Sequence, residues 1–568
     1  MLFAPMVGNR LRFCLSTGTF AAAFCAALLA RGSSLSAAPS TAVFNVVDLG
    51  ALGDGKTMNT EAIRKAIAAC DGAGGGVVVI PPGRFLTGPI ELRSNMELRL
   101  ESGAVLEGSR NFDDYRGEGR RKHGLITARG ARNVSVTGGG TILGNGTAFM
   151  QDRPKPLEHM NGQFTRQGTA YHNGRADGPF VMNDRPGFLV HFDGCSEVAV
   201  RDVTLRDAPE WTLVFTDCDI ADARGVRILN NMLIPNNDGI HCVTSRNIHI
   251  SDCDIQAGDD AIAVTGLWGR PGALCENITV SNCTLRSRSV AVRVGYGSNS
   301  IQRCVFQNLV VHDSNRGLGV FVRDEGSVTD ILFSNIVIQT RLHTGWWGNG
   351  EPLHVSCIRQ KKGTPLGRVE GVTFSNIRAR SEHGIVVWAN DDSRIRDLAF
   401  KDVDLQITPS PLNDDYGGNF DLSPATEERL WVFKHDIPAL YARGVDGLRI
   451  DGFRVNWAED LPDFFTHAIE CEHFDNLLID GFEGRQSHPD GRHAAIALRD
   501  GRKPTVRHCH AAPDTGIFLS HHSLKDTGLW LGNDLRAAGQ VADPAPLPFA
   551  EFGGIAPSEE ALGSRPTK

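Results

Sequence analysis

A chain of 568 residues exceeds one ordinary compact domain, so it requires either two or three folding units or one elongated solenoid. Charged residues make up 22% and hydrophobic residues 41%, with both charge signs mixed along the chain, which excludes a disordered polyelectrolyte. The formal net charge of −8 argues against binding to a nucleic-acid backbone.

Arg10 and Arg12 precede a small and apolar run from Phe13 to Ala30, and Ser36-Ala37-Ala38 reads as a processing site. The run is short for a membrane span and polar sequence follows it, so residues 1–38 are expected to be a secretory signal, with no stable membrane insertion after cleavage. Cleavage removes three arginines and no acid, taking the formal charge to −11. A secreted or periplasmic location follows from this expectation.

Beyond the signal, Phe44-Asn45-Val46 leads through Asp48 and Gly50 to the turn Gly53-Asp54-Gly55. Ile63, Ala66, Ile67 and Cys70 then recur at helical spacing, with Thr60 placed to cap the start. Gly72 to Gly76 stops the helix, and Val77 to Ile80 reads as a strand ended by Pro81-Pro82-Gly83. A short helix here suits the open end of a β-structure, where a terminal repeat needs a cover.

From about residue 95 short strands alternate with Gly and Asn turns: Met96 to Leu100, Val134 to Val136, Val198 to Val200, Val226 to Ile228, Ile248 to Ile250, Ile278 to Val280, Ile331 to Phe333 and Leu448 to Ile450. Each puts two apolar side chains around a mostly polar or small one, the signature of a strand with one buried face. Successive examples in the middle lie 28, 22 and 30 residues apart, too close for β and full α units but suited to stacked β-coils. The predicted fold is all-β: a right-handed parallel β-helix with a short N-terminal capping helix, its coils running from about residue 85 to 535. A β-sandwich is the competing architecture.

One catalytic domain over 39–542 is expected, followed by an extended or disordered tail over 543–568. Insertions at 109–124, 149–185, 343–366 and 409–440 break the repeat and are expected to line the binding face. The last of these is the alternative domain boundary, but the strand pattern resumes after it. Asn308, Asn335 and Asn376 occupy like places and predict an inward asparagine ladder. Eleven cysteines remain after the signal, an odd number without a CxxC pair. Cys195, Cys218, Cys253, Cys283 and Cys304 share one local setting, which predicts a buried column of free thiols.

The densest polar cluster is Pro235-Asn236-Asn237-Asp238-Gly239-Ile240-His241, followed by Gln256-Ala257-Gly258-Asp259-Asp260. Asp238 precedes the pair by 21 and 22 residues, about one coil, so all three carboxylates fall on one side of two stacked turns. Adjacent aspartates in a flat strand point to opposite faces, so sharing a site requires a bend, which Gly258 supplies. Like-charge repulsion raises the proton affinity of at least one carboxyl, giving both a donor and a base for acetal hydrolysis. Asn-Asp-Gly and Gly-Asp-Asp are also ordinary turn sequences; their spacing is what favours a site.

From about residue 44 to 340 these segments resemble glycoside hydrolase family 28, the polygalacturonase and rhamnogalacturonase group on a pectin-lyase-like β-helix. The resemblance rests on Asp48 to Ala51, Asn59 to Ile63, Arg185-Pro186, Asp207 to Leu213, Asn236-Asn237-Asp238 and Gly258-Asp259-Asp260. It implies that Asp259 is the general acid and that Asp238 and Asp260 hold and activate water. It implies a pectic or related polysaccharide or oligosaccharide as substrate, inversion at the sugar, and no cofactor or metal.

Two positions depart from the family pattern. Its Gly-His-Gly falls near Ser289-Val290-Ala291, and its Arg-Ile-Lys becomes Arg323-Asp324-Glu325. Losing the lysine and gaining acid disfavours a uronate at the cleaved bond, so plain polygalacturonate is not the first expectation.

Further substrate-binding candidates are Arg323, Arg293, His241, Trp346, Trp347, Glu351 and Asn237. His241 either stands in for the absent imidazole or faces solvent from a strand. Arg293 binds substrate or makes a surface ion pair. Trp346-Trp347 forms a sugar platform or clamps its own loop. Trp211 is expected to be structural, and Trp268 is open. A lyase on the same scaffold, with the aspartates holding calcium and Arg293 or Arg323 as the base, is the enzyme alternative. A non-catalytic carbohydrate-binding solenoid is the alternative of another class.

Overall fold

The computed structural model describes residues 42–552, apart from 118, 120–121, 152–179, 344–346, 428–429, 490 and 546–548. From Val43 onward the chain is one unit, with the 409–440 insertion inside it. Two parallel sheets run along it, one of 15 strands and one of 29. A typical turn gives Ile240–Val243 to the first sheet, and Arg246–Ser251 and Asp254–Ala257 to the second. Parallel crossovers of this kind take the right-handed sense. The expected parallel β-helix is what the chain forms.

Stacking is in register, so each inward position meets its counterpart one coil on: Ile240 pairs with Ile262 and Cys242 with Val264. Phe306, Phe333, Phe374 and Phe400 pair in sequence and stack with centroids 4.9, 4.9 and 5.4 Å apart. Each such ring buried contributes about 1.5–3 kcal/mol before entropy is counted.

The helix spans Thr60–Gly72 and buries Ile63, Ala66, Ile67 and Cys70, as the spacing predicts. Thr60 does not cap it: Asn59 holds the cap position, and Thr60 Oγ1 accepts the Gly88 amide at 2.7 Å.

Several expectations need correction. Coils begin at Val43–Asn45, not near 85, because Val77 to Val79 already stack on them. A strand at Phe549–Phe552 pairs with Gly528–Leu531 inside the segment expected to be a tail. The asparagine ladder exists but faces outward. Asn308, Asn335 and Asn376 are exposed, bonded amide to amide at 3.3 and 2.8 Å, and sit at positive φ where the long strands Ile301–Ser314, Val328–Thr340 and Val369–Ser381 bend. Asparagine tolerates that left-handed corner, which puts its side chain on the outer rim. All eleven cysteines are free and buried, but in no single column. Cys195 neighbours Cys218 and Cys253 neighbours Cys283, at different corners of the coil.

Candidate active site

The acidic pair lies in the turn between Asp254–Ala257 and Ile262–Gly266, so both side chains escape the alternation of a strand. Asp238 occupies the matching turn one coil earlier. The two turns are stitched together, with Gly239 N donating to Asp260 O at 2.9 Å and Ile240 N to Ala261 O at 2.9 Å. Gly258 is required by close approach: a Cβ there would fall 2.5 Å from Ile234 O and 2.7 Å from Asn237 Oδ1.

Asp238 and Asp260 are buried, whereas Asp259 is partly open. Arg293 binds Asp260 through Nε and reaches 3.8 Å from Asp238 Oδ2, so one guanidinium bridges both buried carboxylates. Burial opposes its charge, but Asp260 and Asp238 more than offset that and hold it protonated. Burial, reinforced by Asp260, raises the Asp238 pKa well above its ordinary value, although Arg293 and Arg185 oppose it. Burial and the Asp238 and Asp260 charges likewise raise Asp259 well above its ordinary value. The Asn236 amide, 3.2 Å from Asp259 Oδ2, holds that carboxyl in place.

Two readings of the sequence candidates change here. His241 does not face solvent: it is fully buried, with Nδ1 3.1 Å from Asp238 Oδ2 and Nε2 3.0 Å from Thr265 Oγ1. Burial and Arg293 push its pKa well down, so a neutral ring orients Asp238. Arg293 is no surface ion pair but the bridge at the centre of the site.

Three candidates lie beneath the surface and are engaged by internal partners. Asn237 is buried, accepting Gly258 N at 2.6 Å and donating to Asn231 O at 2.9 Å, so it locks the two turns together. Arg323 is fully buried, bonded to Val322 O, Ser356 O and Ser356 Oγ and lying over the Phe321 ring. Glu351 is buried against Arg316 at 3.3 Å and accepts Asn349 N at 2.7 Å, fixing its own insertion. Trp346 lies outside the described residues. Trp347 is partly exposed and lies parallel to Tyr296, 6.5 Å away, and Tyr296 lies under the Arg293 guanidinium.

Sequence reasoning missed three supports. Arg185 spans Pro209 O at 2.8 Å and Pro235 O at 2.6 Å, tying the loop before Asp238 to the preceding coil. Asn230 is buried and donates to Thr212 Oγ1 and Asn237 O. Trp211 is more than packing, for it stacks on His241 at 3.8 Å. Phe188 and Trp268 continue that stack, 4.8 and 5.3 Å from Trp211. Trp268 is 57% exposed, a flat apolar face at the outer end of the stack that begins on His241. Scattered aromatic letters carry no periodic signal that would reveal such a stack.

Asn237→Ala leaves the Gly258 amide without its acceptor inside the turn. A loss of about 1–3 kcal/mol in urea unfolding is expected, together with a fall in kcat as the turns separate.

The family model for glycosyl hydrolases family 28 matches residues 70–414, more than half of the chain. The chain belongs to glycosyl hydrolases family 28. This family 28 protein is a glycoside hydrolase, and its carboxylate site stands inside the matched region. It is 25% identical over 363 residues to a probable polygalacturonase of Vitis vinifera, covering 59% of this chain and 68% of that one. It is 30% identical over 251 residues to the exo-poly-alpha-D-galacturonosidase of Dickeya chrysanthemi, spanning 39% of this chain and less than half, 41%, of that relative. The family 28 exopolygalacturonase of Yersinia enterocolitica superposes with a TM-score of 0.55 at 20% identity, covering 78% of each chain, a likeness of fold.

Proposed function

We propose that this glycoside hydrolase cleaves a pectic polysaccharide or oligosaccharide with inversion. Asp259 protonates the leaving oxygen, while Asp238 and Asp260 hold the attacking water. The observation that carries this reading is the convergence of three carboxyls from two successive coils, with the open one, Asp259, raised in proton affinity. A carboxyl that keeps its proton toward neutral pH is the donor the leaving group needs. The relatives named as polygalacturonases support a pectic chain.

The sugar at the cleaved bond is proposed to be other than a bare uronate. Arg323 lies inside the coil with its Nη atoms on Ser356 and Val322, and Glu325 is exposed where the family pattern has lysine. The lyase reading is disfavoured because Arg293 already supplies the positive charge between Asp238 and Asp260 and is not free as a base. Export through residues 1–38 is proposed from their basic start and apolar run. Among the described residues no helix is long and apolar enough to cross a membrane.

The test is product analysis on a panel of pectic and neutral oligosaccharides. New reducing ends of inverted configuration, no unsaturated uronate and full activity in chelator are expected; an unsaturated product that needs calcium overturns the reading. Trp268→Ala should raise KM about fivefold with kcat little changed, since one stacking face is worth roughly 1 kcal/mol; steady-state kinetics checks it.

A further inference from the structure

A second group of titratable side chains gathers on the same sheet, six strands along from Ile262–Gly266, or roughly 29 Å at ~4.8 Å per strand. Glu470 and Glu472 stand two apart on Ile469–Glu472, so the period of two turns both outward while Ile469 and Cys471 enter the core. His435, from the 409–440 insertion, brings Nε2 to 3.7 Å from Glu470 Oε1. One ligand atom from each of the three residues lies within 4.8 Å of the others. The Tyr441 hydroxyl stands 3.1 Å from Glu472 Oε2. Glu470 pairs in register with Ala497, whose short side chain leaves room outward. Glu472 also lines an open cleft of about 540 Å³, a route in from solvent.

Two features set this group apart from an ordinary ion pair. The Glu470 side chain is 2% exposed, yet its Oε1 has no hydrogen-bond partner. His435 Nδ1 lies 2.5 Å from Asp436 O, and a carbonyl only accepts, so Nδ1 carries the proton. The other edge of the ring, Nε2, then faces the two carboxylates, so one imidazole nitrogen and two carboxylates converge on one point. Metal-bound histidines are fixed by just such a bond from the other ring nitrogen to a carbonyl. Arg499 lies 3.5 Å from Glu470 and 3.6 Å from Glu472, but it is half-exposed and contributes charge without a ligand atom.

We propose that His435, Glu470 and Glu472 form a binding site for a divalent transition metal, which pins the 409–440 insertion to the coil. One imidazole nitrogen with two carboxylates suits Zn²⁺ or Mn²⁺, whereas calcium and magnesium favour all-oxygen shells. The role is structural, far from the carboxylates that cleave the sugar.

The test titrates full-length, chelator-stripped protein with ZnCl₂ at pH 7.5 by calorimetry, with thermal unfolding and limited proteolysis alongside. One equivalent should bind at roughly micromolar affinity or tighter, raise Tm and protect the insertion from cleavage. His435→Ala and Glu470→Gln, each checked for a native circular-dichroism spectrum, should weaken binding at least tenfold. Arg499→Met should tighten it by removing a competing cation, and Asp259→Asn should leave it unchanged. No saturable binding, binding indifferent to His435 and Glu470, weaker binding in Arg499→Met, or loss of binding in Asp259→Asn would overturn the proposal. So would a protein in which His435 and Glu470 act only as an ion pair, shown by His435→Ala losing stability equally with and without zinc.

Discussion

Asp259→Asn is expected to lower kcat by about 10²–10⁴-fold, the usual worth of a positioned general acid, while oligosaccharide binding persists. The change removes the transferable proton and keeps the shape, and the Asn236 amide still finds an oxygen to donate to. Stability should move the other way. Burial and the neighbouring Asp238 and Asp260 charges raise the native pKa of Asp259 above its ordinary 3.8. A carboxyl raised on folding contributes stability that is complete below the ordinary value and is lost as pH rises through the native one. The neutral amide is free of that loss, so the variant should be more stable than the wild type at pH 7, with the gap closing toward pH 4 and below. Reducing-end assays and urea unfolding at both pH values check the two halves. Undiminished turnover would remove Asp259 from the mechanism. A wild type that binds glycans but turns over none of the panel would favour a binding solenoid.

Arg293→Met should be the most destabilising single change in the site, costing about 3–5 kcal/mol at neutral pH, because it strands buried carboxylates that shared one counter-ion. The loss should shrink in acid. Asp238 is already raised by burial and by Asp260, and removing Arg293 takes away a charge that lowers it. As pH falls through that raised value Asp238 takes up its proton and the repulsion disappears. The acidic limb of the kcat profile should move upward for the same reason. Arg293→Lys keeps the charge but not the fork, so it should recover stability better than activity. Urea midpoints across pH 4 to 8 read the effect, and a variant within about 1 kcal/mol of the wild type throughout would show that the guanidinium does not neutralise the pair.

The site was legible where chemistry is local in the chain. Asp238 and the Asp259-Asp260 pair stood out because two acidic turns recur one coil apart, and a parallel coil converts that interval into proximity. The same logic gave the helix, whose four buried positions are set by 3.6-residue periodicity alone. Arg293 was visible as a candidate, but its partner was not, since alternation shows which face a side chain takes and not what waits there. Asn237, Arg323 and Glu351 turn out to be held by internal bonds, which the sequence could not show because a polar letter near a motif looks the same whether it points at a ligand or seals a turn. Their internal partners, Gly258 N for Asn237, Ser356 for Arg323 and Arg316 for Glu351, are visible only in the folded chain.

Composition, alternation and spacing thus determined that the chain coils, that one face of each strand is apolar and that three carboxylates share a side. Those properties depend on a few bonded neighbours and on a repeat. The tertiary structure alone decided which carboxyl is open, that Arg293 bridges the other two, that Trp211 backs His241, and that His435 meets Glu470 and Glu472. These are pairings between residues distant in the chain or facing each other across coils. Their energies depend on burial and on the company of other charges, which no stretch of sequence carries by itself.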